Sequence, residues 1–147
     1  CVMHTHTTAG MAVACLEEGL SMSNFYSAQL HGKLAYHDFE GITVHADEGP
    51  RLLASIGGRP AVILRNHGLL AWGESVPRAF AILWLLNRAC EIQLASTAMG
   101  PVIEIPEAIQ RKASADALQF HPDHGGGKDV FDALVRLVDR IDTRYRD

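Results

Sequence analysis

The sequence is 147 residues long, which suits one domain and suffices to bury a sizeable core. Its 48% hydrophobic and 20% charged residues exclude a disordered chain, and the net charge of -4 excludes the basic footprint of a nucleic-acid binder. The longest apolar run, 79–86, falls well short of the roughly 20 residues that a membrane-spanning helix needs, so no membrane partner is expected. Cys1, Cys15 and Cys90 are odd in number and widely spaced, which suggests free thiols in a reducing, cytoplasmic compartment.

The chain opens on Cys1-Val2, with neither an initiating Met nor a leader-like stretch, and runs at once into a strand-like segment. We therefore expect one domain over 1–147 that begins inside a larger fold and is N-terminally incomplete. Val2–Thr5 is β-compatible. Thr7 or Thr8 can cap a helix over 9–18, which Gly19 stops, and Ser23 can cap a second over 24–32. Leu34 to Tyr36 is a short apolar stretch ending at the polar corner His37-Asp38. The β-branched residues at 42–44 suggest a strand, and Leu52, Leu53 and Ile56 mark one face of a helix over 49–56.

The segment 61–72 gives the clearest pattern: an apolar strand, the turn Arg65-Asn66-His67-Gly68, and a second strand over 69–72. Asn and Gly tolerate positive φ, as a tight connection requires. Ser75 and Pro77 then start a helix running to about Met99, apolar almost all round and therefore expected to be central and well buried. Further helices are expected from Pro106 to about Phe120 and over 130–141, separated by a glycine-rich loop. Strands mixed with long helices indicate an α/β layered domain.

Chemistry concentrates in the histidines. On a strand, His4 and His6 point to one face, roughly 6.5–7 Å apart along the chain, so their rings can converge on one ion; chance alternation is the competing reading. His67 lies in a turn between two apolar strands, where functional side chains gather, although an ordinary turn residue reads the same way. Taken together, three strand-end imidazoles make a set of neutral nitrogens with an open fourth position. Such a set suits a catalytic zinc or related divalent ion better than a closed structural site.

Val2-Met-His-Thr-His-Thr-Thr-Ala-Gly10, Tyr36-His-Asp-Phe-Glu-Gly41 and Ile63-Leu-Arg-Asn-His-Gly-Leu69, followed by Ala89-Cys-Glu-Ile-Gln93, resemble the class II aldolase/adducin family. The resemblance covers the chain to about Thr97 and is looser beyond Gly100. It implies a three-layer α/β/α fold around a central, mostly antiparallel sheet, and a homotetramer with active sites between subunits. It implies a divalent metal on His4, His6 and His67, zinc in the first place with manganese or cobalt as substitutes. The chemistry implied is that of an aldehyde lyase or epimerase of carbohydrate metabolism. Its substrate is a small hydroxylated carbonyl compound or sugar phosphate, and a metal-stabilised enediolate is formed. A decarboxylase of the same family, or a non-catalytic adducin-like interaction module, remains open as an alternative.

In family enzymes an acidic acid/base residue and phosphate-contacting loops precede the His-x-His segment, outside this sequence. A proton donor comes from the region after the first helix or from a C-terminal tail. Tyr26 and His31 fit the former, with helix packing as the competing reading, and Tyr145 fits the latter less well. His37-Asp38 can orient a metal ligand or simply turn a strand end. Gly126-Gly127-Lys128 lacks the Ser or Thr of a phosphate loop, and His121-Pro-Asp-His124 reads as solvated surface.

Overall fold

The computed structural model describes residues 1–42, 47–118 and 121–146. Four strands, β1 (Val2–Thr5), β2 (Leu34–His37), β3 (Ala61–Leu64) and β4 (Gly68–Trp72), form one sheet in the order β1-β4-β3-β2. The β1/β4 and β4/β3 pairs are antiparallel and β3/β2 is parallel. A parallel pair cannot be joined by a tight turn. The chain between β2 and β3 accordingly carries helix α3 (Glu48–Ile56).

The sheet has helices on both faces because its central strands are apolar on both. Ala61 and Ile63 of β3, with Leu69 and Ala71 of β4, pack against α1 (Thr8–Ala14) and α4 (Val76–Met99). Ala35, Val62, Leu64 and Leu70 turn to the other face, where Leu52 and Ile56 of α3 cover them. The layered α/β expectation holds, with a mixed sheet in which two of the three pairings are antiparallel. α2 (Phe25–Gln29) packs on α4 and on α5 (Glu107–Asp116), and α6 (Lys128–Asp139) packs on α4, with Phe80 and Phe131 edge to face at 5.5 Å.

Several boundaries differ from the sequence reading, for local reasons. The first helix ends at Ala14 instead of 18, because Asn66 N–H takes the Ala14 carbonyl and Arg65 takes those of Leu16 and Glu17. The second spans Phe25–Gln29, opened by an Asn24–Ser27 capping box instead of Ser23. Helix α5 stops at Asp116 and α6 begins at Lys128, two residues before the expected start. Of the strand expected over 42–44, Ile42 lies in an exposed bend and the rest, with His45, falls outside the described residues. Helix α4 is not buried all round: Ile82, Leu85, Leu86, Ala89 and Cys90 face the core, while Trp84, Ile92, Leu94 and Met99 are exposed. No described helix is long and apolar enough to cross a membrane.

Burial pushes the Cys90 thiol up to about 12, whereas Cys1 and Cys15 are exposed. A disulfide reagent at pH 8 is therefore expected to titrate two thiols in the native chain and the third only in denaturant. Three fast thiols would refute this placement of the α4 face.

Candidate metal centre

Two distant segments of chain meet at one end of the sheet. His4 stands on β1 opposite Leu70, and His6 follows two residues later, just past the strand end. His67 closes the three-residue turn between β3 and β4, in which Asn66 alone adopts positive φ (57°). That turn is fixed to the end of α1 by the Asn66 N–H···Ala14 carbonyl bond of 2.9 Å and by Arg65, whose guanidinium also lies over the Tyr36 ring at 4.7 Å. On the other segment, Thr7 caps α1 through the Gly10 N–H and donates to Asn87 Oδ1 of α4, which anchors the residue following His6.

The meeting depends on Gly68. Its backbone is not in the left-handed region, so the sequence expectation of a glycine needed for turn φ is corrected. The residue opens β4, and what it supplies is space. A Cβ there would lie 2.5 Å from the Thr5 carbonyl, 2.9 Å from His6 Cδ2 and 3.3 Å from His4 Cε1. Only a hydrogen lets the turn approach the β1 end closely enough for the rings to meet.

The three ring centroids are 4.5–4.9 Å apart, and one nitrogen of each ring lies within 4.8 Å of the other two. His4 Nδ1 donates to the Leu69 carbonyl at 2.8 Å, so this nitrogen carries the hydrogen and Nε2 presents a lone pair toward His6 Nε2 at 2.7 Å. A backbone acceptor fixing ring and tautomer in this way is the usual support of a metal-binding histidine. Burial, and then the charges that His4 and His6 would carry, hold His67 below the usual imidazole range. His67 is therefore held toward its neutral form, the one that ligates. Three neutral nitrogens with the outer side open fit a divalent ion of the zinc type.

A family model for the class II aldolase and adducin N-terminal domain matches residues 1–94. The chain belongs to the class II aldolase and adducin family. A crystal structure of an aldolase II superfamily protein from Pseudomonas syringae superposes with a TM-score of 0.92 at 37% identity, covering 99% of this chain and 59% of that one. An L-fuculose 1-phosphate aldolase from Glaciozyma antarctica gives a TM-score of 0.76 at 26% identity over 95% of this chain and 53% of that one. Alpha-adducin of Rattus norvegicus is 35% identical over 98% of this chain and 21% of its own length. The chain thus spans about three-fifths or less of each of these relatives.

The other sequence candidates stand elsewhere in this class II aldolase-type domain. Tyr26 packs edge to face on Trp84 at 5.9 Å, beside the core, and His31 sits in the α2–β2 connection, its carbonyl accepting from Ser114 Oγ. Among the described residues neither contacts the histidine set. Tyr145 donates to Asp139 at the exposed C-terminal end. His121 pairs with Asp123 at 3.4 Å, and Lys128 pairs with Asp132. His37 does not touch the trio. It is buried at the end of β2, in the wall of a cavity that His67 also lines.

Gly68→Ala is expected to lose about 1–3 kcal/mol of stability from overpacking, and to weaken metal binding as well, because its Cβ would press first on the Thr5 carbonyl between His4 and His6 and then on the His6 ring. Urea unfolding with and without zinc checks both; an unaltered midpoint and affinity would refute the close-approach argument. His67 also gives the metal-free chain a pH dependence. A folded value below the ordinary 6.5 means that the unfolded chain binds more protons. The stability it contributes is therefore present above about 6.5 and falls as pH drops below it. In His67→Gln that part of the slope should vanish from thermal melts run between pH 5 and 8.

Proposed function

We propose that this protein is a divalent-metal-dependent aldolase-type lyase or epimerase acting on a small hydroxylated carbonyl compound. The observation that carries the reading is the convergence of His4, His6 and His67 from two distant segments, with the His4 ring oriented by the Leu69 carbonyl. These three residues would hold the ion. Zinc suits the all-nitrogen set best, and manganese or cobalt would be accepted by the same donors. When bound, the ion supplies a Lewis acid for substrate oxygens and for the negative charge that develops when a carbon–carbon bond breaks next to a carbonyl.

The chain's own residues do the positioning. Gly68 sets the ring spacing, Leu69 fixes the His4 tautomer, and Arg65 and Asn66 hold the His67 turn against α1. Neutral rings leave the ion's charge uncompensated, which favours an anionic transition state. Likeness to an L-fuculose 1-phosphate aldolase supports the lyase reading. Exposed apolar side chains such as Met99 (88%), Ile103 (89%) and Ile141 (77%) support self-association, and a homotetramer is the form we propose.

Likeness to alpha-adducin favours a second reading, an assembly module without turnover. The open histidine set argues against it, because a structural role would leave no reason to keep three nitrogens facing outward. His6→Ala should bind zinc more weakly than wild type by well over the 10–100-fold typical of losing a mere supporting contact. Metal content after dialysis measures this. Equal zinc in both proteins would refute the ligand assignment, and an unchanged melting temperature on adding hydroxamate to the zinc-loaded full protein would favour the assembly module.

A further inference from the structure

A cavity of about 120 Å³ adjoins the histidine set, with His37, Phe39, Glu48, Leu52, Leu64 and His67 in its wall. Its volume exceeds the roughly 10–15 Å³ that holds one water, so a short run of carbon and oxygen atoms can enter. His67 borders both spaces, so a ligand anchored at the trio can extend into the cavity.

The His37 ring is built into the site. It is 6% exposed, and its Nδ1 lies 2.9 Å from Ser55 Oγ. Ser55 already donates its only hydrogen to the Arg51 carbonyl at 3.0 Å, so Oγ accepts and Nδ1 is the donor. In the neutral ring Nε2 then carries a lone pair. This nitrogen is buried and has no hydrogen-bond partner among the described residues, and it lies 3.7 Å from Glu48 Oε1 and 3.9 Å from Glu40 Oε1. Both Glu40 oxygens are taken by Arg51, which holds that carboxyl below the usual range. His37 and Glu48 thus line one cavity, and among the described residues nothing donates to the buried lone pair. Buried acceptors without a donor are costly, so the site calls for a guest that brings hydrogens.

We propose that this cavity is a diol-reading subsite: two adjacent hydroxyl groups of the substrate donate to His37 Nε2 and Glu48, while its C–H groups lie on Phe39, Leu52 and Leu64. The proposal rests on the metal-dependent reading above and adds the class of substrate end that the site takes, which is neutral and polyhydroxylated. A phosphate is disfavoured here. Glu40 and Glu48 would repel it, and Arg65, also in the wall, is directed to the Leu16 and Glu17 carbonyls.

The test uses the zinc-loaded full protein and three hydroxamates titrated calorimetrically: propanohydroxamate, its 2,3-dihydroxy analogue, and its 3-phosphate. The dihydroxy probe is expected to bind about tenfold more tightly than the parent, as two hydrogen bonds to unpartnered groups would give. That gain over the parent probe should disappear in Glu48→Leu and in His37→Phe, which leaves the Ser55 hydroxyl bonded to Arg51. Equal binding of parent and dihydroxy probes by wild type overturns the proposal and leaves the metal reading intact. So does a gain that survives both substitutions, or preference for the 3-phosphate. A second equivalent of zinc that Glu48→Leu abolishes would overturn it in favour of a cation site. Failure of every hydroxamate to bind would overturn the metal reading together with this one.

Discussion

The approach of the first residue of β4 to the end of β1 is the contact on which the candidate site depends. Backbone at Gly68 passes so close to the Thr5 carbonyl and the His6 ring that no side chain fits between them. Because the contact lies at the end of an antiparallel ladder, its geometry is set by the whole β1/β4 pairing, from Val2 opposite Trp72 to Thr5 opposite Leu69. A single-residue slip would turn His4 to the opposite face of the sheet. The three histidines are thus held by register, and register is held by the apolar residues that alternate along β3 and β4 between two separate cores.

Those cores explain why the site is rigid where it matters. Ile63 and Leu69 are fully buried against α1 and α4, and Val62 against α3, so the sheet beneath the histidines is packed on both sides. The turn bearing His67 gains a second anchorage at the end of α1, where Asn66 and Arg65 satisfy carbonyls that the helix leaves free. One set of hydrogen bonds therefore both terminates a helix and positions the His67 turn. The same economy recurs at Thr7, which caps α1 immediately after His6 and reaches α4 through Asn87.

His67 also lines a cavity to which the end of β2 and the start of α3 contribute His37 and Glu48. His37 is positioned by parallel pairing of β2 with β3, which sets it opposite Leu64, and by Ser55 from the helix that makes the crossover. The two kinds of strand pairing in a mixed sheet thus place the two groups: antiparallel pairing sets His4 beside the β3–β4 turn, and parallel pairing sets the buried His37 imidazole.

Much of this was legible in the sequence. The strands 61–64 and 69–72, the helix opened by Ser75 and Pro77, and the three histidines follow from local patterns: apolar runs, a turn, a cap and an i, i+2 repeat. These depend on neighbours in the chain, so sequence alone determined them. The shortening of α1, the space that Gly68 leaves, the one-sided burial of α4 and the burial of His37 depend on partners 18 to 72 residues away, such as Ser55, Arg65 and Gln93. Only the tertiary structure decided these. A side chain's solvent, its hydrogen-bond partner and the room beside it belong to whatever the fold brings against it, and no local pattern records that.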